Sequence, residues 1–252
     1  IMELNKYIDH TNLKNTSTLK DIEKLCNEAI KYRFASVCVY PYYVRLASNL
    51  LKDSNVEVCT VIGFPSGMST KETKVYEAID AVEKGATEID MVINIAALKN
   101  KDYDYIKEEI EEIRDAIDGK VLKVIIETCL LTKEEIIKMT EICNETFVNF
   151  IKTSTGFSEY GARVEDVELI NENKSEIMKT VNEMKERVIL HCDINHCYAQ
   201  IEEMKYPELR NVAMAVGGHE ESRHGIILTK NDLAKKYNIK TGESLRDAYK
   251  KC

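Results

Sequence analysis

Residues 147–157 of the sequence read Phe-Val-Asn-Phe-Ile-Lys-Thr-Ser-Thr-Gly-Phe, an apolar run with one lysine, Lys152, that then turns polar. The run has the composition of a buried β-strand, where an ammonium group loses hydration unless it is paired or neutralised. Burial lowers the pKa of a lysine, and a neutral amine is a nucleophile toward carbonyl carbon. Residues 153–156 then offer hydroxyl groups and a backbone N–H to an anion such as phosphate. A strand-end lysine that reaches to water is the simpler alternative.

Five further apolar runs of strand length precede this stretch, and segments with helical periodicity separate them. The runs cover residues 7–11, 35–40, 56–64, 88–93 and 121–128. Thr132 has the position of a helix N-cap. Six βα units in succession predict parallel strands joined by crossover helices. We expect an α/β fold of the TIM-type (β/α) barrel, because no glycine-rich dinucleotide turn follows the first strand.

Polar side chains interrupt these apolar strands. They are Asp9, Cys38, Asp90, Lys123, Glu127 and Lys152. Barrel enzymes carry their chemistry at the C-terminal ends of the strands, and buried unpaired charges are costly, so convergence of these groups predicts an active site. The simpler alternatives are a capping role for Asp9, a strand-end position for Asp90 and a core thiol at Cys38. Lys123 could also be an ion-pair partner of Glu127.

The composition is that of an ordinary globular protein. The chain has 252 residues, 44% of them hydrophobic and 31% charged, so it can bury one large core. Eight cysteines occur without a CxxC pair, which indicates reduced thiols rather than a disulfide framework. We see no signal peptide and no apolar run of membrane length. The expected location is therefore the cytoplasm.

Six stretches, taken together, resemble the deoxyribose-phosphate aldolases, class I aldolases on a TIM barrel. They are Ile-Asp-His-Thr-Asn-Leu (8–13), Ser-Val-Cys-Val-Tyr-Pro (36–41), Gly-Phe-Pro-Ser-Gly (63–67), Glu-Ile-Asp-Met-Val (88–92), Leu-Lys-Val-Ile-Ile-Glu-Thr (122–128) and Phe-Ile-Lys-Thr-Ser-Thr-Gly-Phe (150–157). They occur in the family's order within residues 3–170. The resemblance implies cleavage of 2-deoxy-D-ribose 5-phosphate to glyceraldehyde 3-phosphate and acetaldehyde. It implies a small sugar phosphate as partner, no metal or organic cofactor, and a homo-oligomer as one possible assembly.

The resemblance also implies roles for individual residues. Lys152 would form the Schiff base with the carbonyl carbon, and Asp90 would belong to the proton relay. Lys123 would place positive charge beside Lys152 and hold its pKa down. The substrate-binding residues would be Asp9, Cys38, Thr153 and Gly156.

From Met184 onward the sequence resembles something else, the N-terminal piece of a Y-family DNA polymerase of the polymerase IV type. The similarity covers residues 187–202, 207–210, 212–218, 225–229 and 234–242. It implies that Asp193 is a Mg²⁺ ligand, that Tyr198 is the gate against a ribose 2′-hydroxyl, and that Lys235 and Lys236 lie near a triphosphate. The family's later acidic pair is missing, and one carboxylate cannot make a two-metal site. We therefore expect no polymerase activity.

These similarities predict a fusion of two segments, residues 1–183 and 184–252. The second segment has 12 basic and 10 acidic residues, a net charge of +2, whereas the first is at −10. The aldolase family needs a second lysine on its seventh strand, but the run 188–192 ends in His191 and Cys192. A metal cluster formed by His191, Cys192, His196 and Cys197 matches no structural zinc spacing.

Two arrangements of the second segment are open. Residues 188–192 and 212–216 could serve as barrel strands seven and eight, with Gly217 and Gly218 replacing the family's phosphate loop. Alternatively, the segment folds as a small separate α/β unit and leaves an open six-stranded barrel with exposed edges.

The leading hypothesis is a class I aldolase of the deoxyribose-phosphate type, with activity reduced by the missing lysine. The alternatives are a nucleotide- or DNA-binding module built on the second segment, and a catalytically silent chimera. A net charge of +2 gives DNA binding little support.

Overall fold

A computed structural model describes residues 3–174, 215–217 and 227–230, together with Ala234 and Lys236. The chain divides into two compact units, Ile1–Asp193 and Ile194–Cys252. The predicted junction between residues 183 and 184 lies outside the described residues. Among the helices in the described part of the chain, none has the length and apolar character that crossing a bilayer requires.

Six parallel strands form the sheet of the first unit, in the same order as in the sequence. They are β1 (Asp9–Asn12), β2 (Ser36–Val39), β3 (Glu57–Ile62), β4 (Glu88–Val92), β5 (Val121–Ile125) and β6 (Phe150–Lys152). Each strand pairs in parallel with the next, as repeated βα units require. The prediction of six parallel strands is confirmed, with boundaries that differ by a few residues.

Seven α-helices are described in this unit. They are α1 (Leu19–Tyr32), α2 (Val44–Leu51), α3 (Lys71–Glu83), α4 (Ile95–Lys99), α5 (Tyr103–Ala116), α6 (Lys133–Glu145) and α7 (Val164–Asn173). Thr132 caps α6 in a reciprocal capping box with Glu135. Thr18 caps α1 in a capping box with Asp21. Sequence periodicity did not predict the short helices α2 and α4, because each offers too few turns for a pattern.

The core lies between the sheet and the helices around it. Strands β2 and β4 are buried at every position, as expected for parallel strands covered on both faces. Ile106, Ile110 and Ile113 of α5 are fully buried in the same core. Helix α1 contributes Ile22 and Cys26 in the same way.

The sheet is strongly curled. Asp9 on β1 accepts a hydrogen bond from Lys123 on β5 at 2.7 Å. Four strand spacings in a flat sheet would separate these residues by about 19 Å, far beyond the reach of two side chains. The two residues therefore face each other across the inside of a curved sheet. This geometry confirms the barrel-type α/β fold for the first six βα units.

The described part of the second unit is a two-stranded sheet. Its strands, β7 (Ala215–Gly217) and β8 (Ile227–Lys230), pair antiparallel. Residues 215 and 216 of the proposed eighth barrel strand (212–216) belong to this antiparallel pair, and residues 212–214 lie outside the described residues. The proposed seventh strand, residues 188–192, and Gly218 lie outside the described residues.

Candidate active site

Lys152 lies at the C-terminal end of β6 with only 5% of its surface exposed. Its Nζ donates a hydrogen bond to Oδ2 of Asp90, which lies on β4. Strand β5 runs between the two, so the contact crosses the concave side of the sheet. The alternative in which Lys152 reaches to water is wrong, because a buried carboxylate holds its ammonium group.

Lys123 is fully buried on β5 and contacts three carboxylates. Its Nζ lies 2.7 Å from Asp9, 2.6 Å from Glu88 and 3.5 Å from the Oδ1 atom of Asp90. Burial acts to lower the pKa of Lys123, but the negative charges around it outweigh burial and raise the pKa well above its usual value. The alternative pairing of Lys123 with Glu127 is wrong.

We call Asp9, Glu88, Asp90, Lys123 and Lys152 the charged cluster. It contains two ammonium groups and three carboxylates, all within a buried space. Burial raises the pKa of Glu88, although the positive charge of Lys123 opposes that shift. A proton on Glu88 would make the cluster electrically neutral, which is the favourable state for a group of charges removed from water.

The pKa of Lys152 does not follow the expectation. Burial acts to lower it, and Lys123 contributes in the same direction, but the attraction of Asp90 outweighs both and the net shift is upward. The resting amine is therefore an ammonium ion paired with Asp90. It becomes a nucleophile only when a proton leaves, and Asp90 is the adjacent acceptor.

Cys38 and Cys59 lie side by side on β2 and β3, with their sulfur atoms and a carboxylate oxygen of Asp90 within 4.8 Å of one another. A metal ion would need thiolates, yet burial raises the pKa of Cys59 well above its usual value. Lys123 also lies 3.6 Å from the sulfur of Cys59. Two ammonium groups therefore occupy the surroundings of Asp90, and these residues do not fit a cation site.

The loop after Lys152 contains both remaining predicted binding residues. Thr153 is buried, and its carbonyl oxygen accepts a hydrogen bond from the Thr128 N–H at 2.7 Å. Gly156 has a φ of +82°, a left-handed conformation that glycine adopts without a steric penalty. The structure thus places Thr153 and Gly156 at the same end of the sheet as Lys152.

A second buried ion pair supports the C-terminal end of β4. Lys74 of α3 donates to Glu109 of α5 at 2.6 Å and to the Val92 carbonyl at 2.8 Å, and both charged side chains are fully buried. The other oxygen of Glu109 accepts the Asn94 N–H at 3.2 Å. Burial lowers the pKa of Lys74 and raises that of Glu109. Sequence reasoning missed this pair, because a lysine and a glutamate on helices are usually exposed.

Sequence reasoning also missed Glu88 and Cys59 as members of this site. Glu88 precedes Asp90 by two residues on one strand, so both side chains point to the same face. Cys59 pairs in register with Cys38. Alternation along β4 would have identified Glu88, whereas finding Cys59 required the strand register.

The residues assigned under the polymerase hypothesis fall mostly beyond the described part. Asp193, Tyr198 and Lys235 lie outside the described residues. Lys236 is helical and exposed.

Residues 4–221 match the family model described as DeoC/LacD family aldolase. The chain belongs to the DeoC/LacD aldolase family. Residues 192–252 match a second model, the impB/mucB/samB family, so this aldolase chain also carries a segment similar to Y-family polymerases, as in a chimera.

Curated relatives of this aldolase are similar over its first two thirds. The deoxyribose-phosphate aldolase of Finegoldia magna is 58% identical over 171 residues, which cover 68% of this chain and 80% of the relative. That of Thermoanaerobacter sp. (strain X514) is 56% identical over 174 residues, covering 68% of this chain and 78% of the relative.

Solved structures of aldolases share the fold. "QR15, an Aldolase" is 43% identical with a TM-score of 0.66, over 69% of this chain and 77% of that chain. The deoxyribose phosphate aldolase of Aeropyrum pernix, whose structure is tetrameric, is 30% identical with a TM-score of 0.62, over 66% of this chain and 70% of that chain.

Proposed function

We propose that the chain is a class I aldolase that cleaves 2-deoxy-D-ribose 5-phosphate to glyceraldehyde 3-phosphate and acetaldehyde, and that Lys152 forms the Schiff base. The observation that carries the proposal is the contact between Lys152 and Asp90. It gives a buried amine an adjacent proton acceptor at the C-terminal end of a barrel strand. The names of the similar aldolases support the same substrate.

The first step is attack of the Lys152 amine on the aldehyde carbon of the open-chain sugar. The amine must first lose its extra proton, and Asp90 accepts it. The resulting carbinolamine loses its hydroxyl group as water when Asp90 returns the proton. The product is an iminium ion, whose positive nitrogen withdraws electrons from the neighbouring carbon–carbon bond.

The second step is cleavage of the bond between C2 and C3 of the sugar. The C3 hydroxyl gives its proton to Asp90, which is ionised again after the dehydration. The electrons of the C2–C3 bond move to the iminium nitrogen, and glyceraldehyde 3-phosphate leaves. Asp90 then returns the proton to C2 of the remaining enamine, and water hydrolyses the resulting iminium ion to release acetaldehyde and the Lys152 amine. Lys123 holds a second positive charge against Asp90 throughout, so the Asp90 carboxyl group can lose its proton again after each transfer.

Borohydride trapping tests the proposal. Acetaldehyde is added with borohydride, and peptide mass mapping locates the reduced adduct. We expect the adduct on Lys152 and no adduct there in Lys152→Leu, with Lys138→Leu, a half-exposed lysine of α6, as the matched control. An unmodified Lys152 in the wild-type chain would favour the catalytically silent chimera. Cleavage of the sugar phosphate by Lys152→Leu would overturn the mechanism.

Three further expectations concern the segment boundary, the cellular location and the assembly of the protein. We expect the segment boundary between residues 183 and 184, ahead of Met184, where the resemblance to the polymerases begins; the two family models themselves overlap over residues 192–221. The protein works in the cytoplasm, in keeping with the free thiols of all the described cysteines. A homo-oligomer is the expected assembly, and the tetrameric Aeropyrum pernix relative supports it.

A further inference from the structure

Glu127 has a buried carboxylate that the reaction scheme leaves unused. It follows β5 closely in the chain, and only 1% of its surface is exposed. Its φ of +54° is in the left-handed region, which is unfavourable for a residue with a Cβ atom. Such a conformation persists where the surrounding contacts hold it in place, and these positions cluster at functional sites.

Both carboxylate oxygens of Glu127 accept hydrogen bonds from the loop that follows Lys152. The Thr155 N–H donates to Oε1 at 3.1 Å, and the Thr155 hydroxyl donates to Oε2. The Ser158 hydroxyl donates to the same Oε2 at 3.0 Å. One side chain at the end of β5 therefore fixes two positions of the 153–158 loop.

Backbone hydrogen bonds on either side of Glu127 extend this connection. The Ile126 N–H donates to the Lys152 carbonyl at 3.0 Å, and the Thr128 N–H donates to the Thr153 carbonyl at 2.7 Å. The carboxylate thus continues the pairing of β5 with β6 beyond the last residue of the strand. It holds the loop in register directly after the Schiff-base lysine.

The Thr155 hydroxyl also holds the next part of the loop, because its oxygen accepts a hydrogen bond from the Phe157 N–H at 3.1 Å. In the described part of the chain, no acceptor contacts the N–H groups of Ser154 and Gly156, which flank the Thr155 N–H held by Glu127. Two backbone donors are therefore left for a ligand, and Glu127 already occupies the donor between them. Adjacent backbone N–H groups of this kind bind anions.

We propose that Glu127 is a positioning residue that shapes the 153–158 loop for the 5-phosphate of the substrate. This inference rests on the proposed function. The carboxylate does not itself meet the phosphate, because its oxygens are taken up by Thr155 and Ser158. Its effect is on the geometry of the Ser154 and Gly156 N–H donors, so it matters for a phosphorylated ligand and not for the aldehyde carbon.

The test compares 2-deoxyribose 5-phosphate with 2-deoxyribose in borohydride trapping at Lys152, each over a range of concentrations. In Glu127→Gln, a neutral amide replaces the carboxylate: its nitrogen cannot accept from Thr155 or Ser158, and its oxygen accepts without the help of a negative charge. We expect the half-saturating concentration to rise about tenfold or more for the phosphorylated sugar and no more than about twofold for the other. Acetaldehyde trapping should stay at the wild-type level. Glu135→Gln, which removes a backbone-binding carboxylate from the start of α6, is the matched control.

Thr155 supplies the second pair of variants. Thr155→Val keeps the shape of the side chain but removes the hydroxyl that joins Glu127 to Phe157, so we expect the same selective loss. Thr155→Ser keeps the hydroxyl and should restore most of the phosphate preference. If Glu127→Gln does not fold, as judged by circular dichroism, the Thr155 variants decide by the same criteria.

Three outcomes separate the two proposals. A selective loss for the phosphorylated sugar supports the positioning role. An equal loss for both sugars, with normal acetaldehyde trapping, overturns that role and leaves the Schiff-base lysine intact. No acetaldehyde adduct in the wild-type chain overturns the proposed function, and the positioning role falls with it.

Discussion

Lys152 on β6 and Asp90 on β4 meet across an intervening strand, and the ammonium group of the lysine donates directly to the carboxylate. The curl of the sheet favours this contact, because in a flat sheet residues two strands apart are separated by about 10 Å. It ties the reactivity of the amine to a single acid. In the resting ion pair, Lys152 carries the proton that Asp90 accepts before the attack and returns when the carbinolamine loses water.

Asp90→Asn should slow turnover much more than it weakens binding. The amide cannot accept a proton from Lys152, and proton-transfer groups contribute about 10²–10⁴-fold in rate. We expect kcat for sugar-phosphate cleavage to fall within that range, with a much smaller change in KM. Asp80→Asn, in the half-exposed ion pair with Lys84 on α3, is the control. A rise in KM without a fall in kcat would contradict the relay role.

The same variant should move the pH profile of trapping. In the wild-type chain, Asp90 raises the pKa of Lys152, so the neutral amine accumulates only toward alkaline pH. Without Asp90, burial and Lys123 both favour the neutral form, and the rise of acetaldehyde trapping should shift to lower pH. The measurement is the trapping rate, normalised to its plateau, against pH. An unchanged profile, or a shift to higher pH, would be the contrary result.

The buried pair of Lys74 and Glu109 should make a single substitution more destabilising than the double substitution. Glu109→Leu alone leaves a buried ammonium ion without its partner and should lower the free energy of unfolding by about 3–5 kcal/mol. Adding Lys74→Met removes that charge, and much of the loss should be recovered. Denaturant unfolding measures both. For comparison, Glu145→Ala in the exposed pair with Lys107 should change stability little, and additive effects in the buried pair would argue against coupling.

Alanine substitutions at two glycines with similar φ angles should distinguish the cost of a steric clash from the cost of a left-handed backbone. Gly67 has a φ of +71°, and a Cβ there would lie 1.9 Å from the Ile93 carbonyl oxygen. Gly119 has a φ of +73°, and a Cβ there meets nothing within 4 Å. Gly119→Ala should therefore cost only the left-handed penalty, about 1–2 kcal/mol, whereas Gly67→Ala should cost more. Equal losses in denaturant unfolding would show that the loop moves aside.

The polymerase-like segment should not extend a primer. A two-metal site needs more than one carboxylate, and within residues 184–252 the polymerase resemblance assigns only Asp193 to a metal. We expect no nucleotide incorporation by the full chain with Mg²⁺ and all four deoxynucleoside triphosphates, at protein concentrations where a polymerase is readily detected. Incorporation that disappears in Asp193→Asn would overturn this expectation.

Much of the fold could be read from the sequence, because parallel strands buried on both faces give long apolar runs that alternate with helical periodicity. Lys152 and Asp90 were recognised because charges inside such runs are rare. The direction of the Lys152 pKa shift was not, because it depends on how closely Asp90 approaches. A sequence shows which groups are buried but not the distances between them.

The partners of Lys123 illustrate the same limit. Glu127 is much nearer in the chain, yet Lys123 binds Asp9, which is 114 positions away. Only the curvature of the sheet brings them together. Glu127 instead accepts hydrogen bonds from the loop after β6. Its backbone is in the left-handed conformation at this point, and no local sequence pattern predicts that conformation.

All five members of the charged cluster come from β1, β4, β5 and β6, and so from the part of the chain that ends at Lys152. The charged cluster is thus encoded entirely upstream of residue 153. Genetic recombination downstream of that point could exchange the remaining segment without altering any member of this cluster. Schiff-base formation and barrel closure could then be varied independently of each other. A library of grafted C-terminal segments would show how strongly the rate of each catalytic step depends on closure.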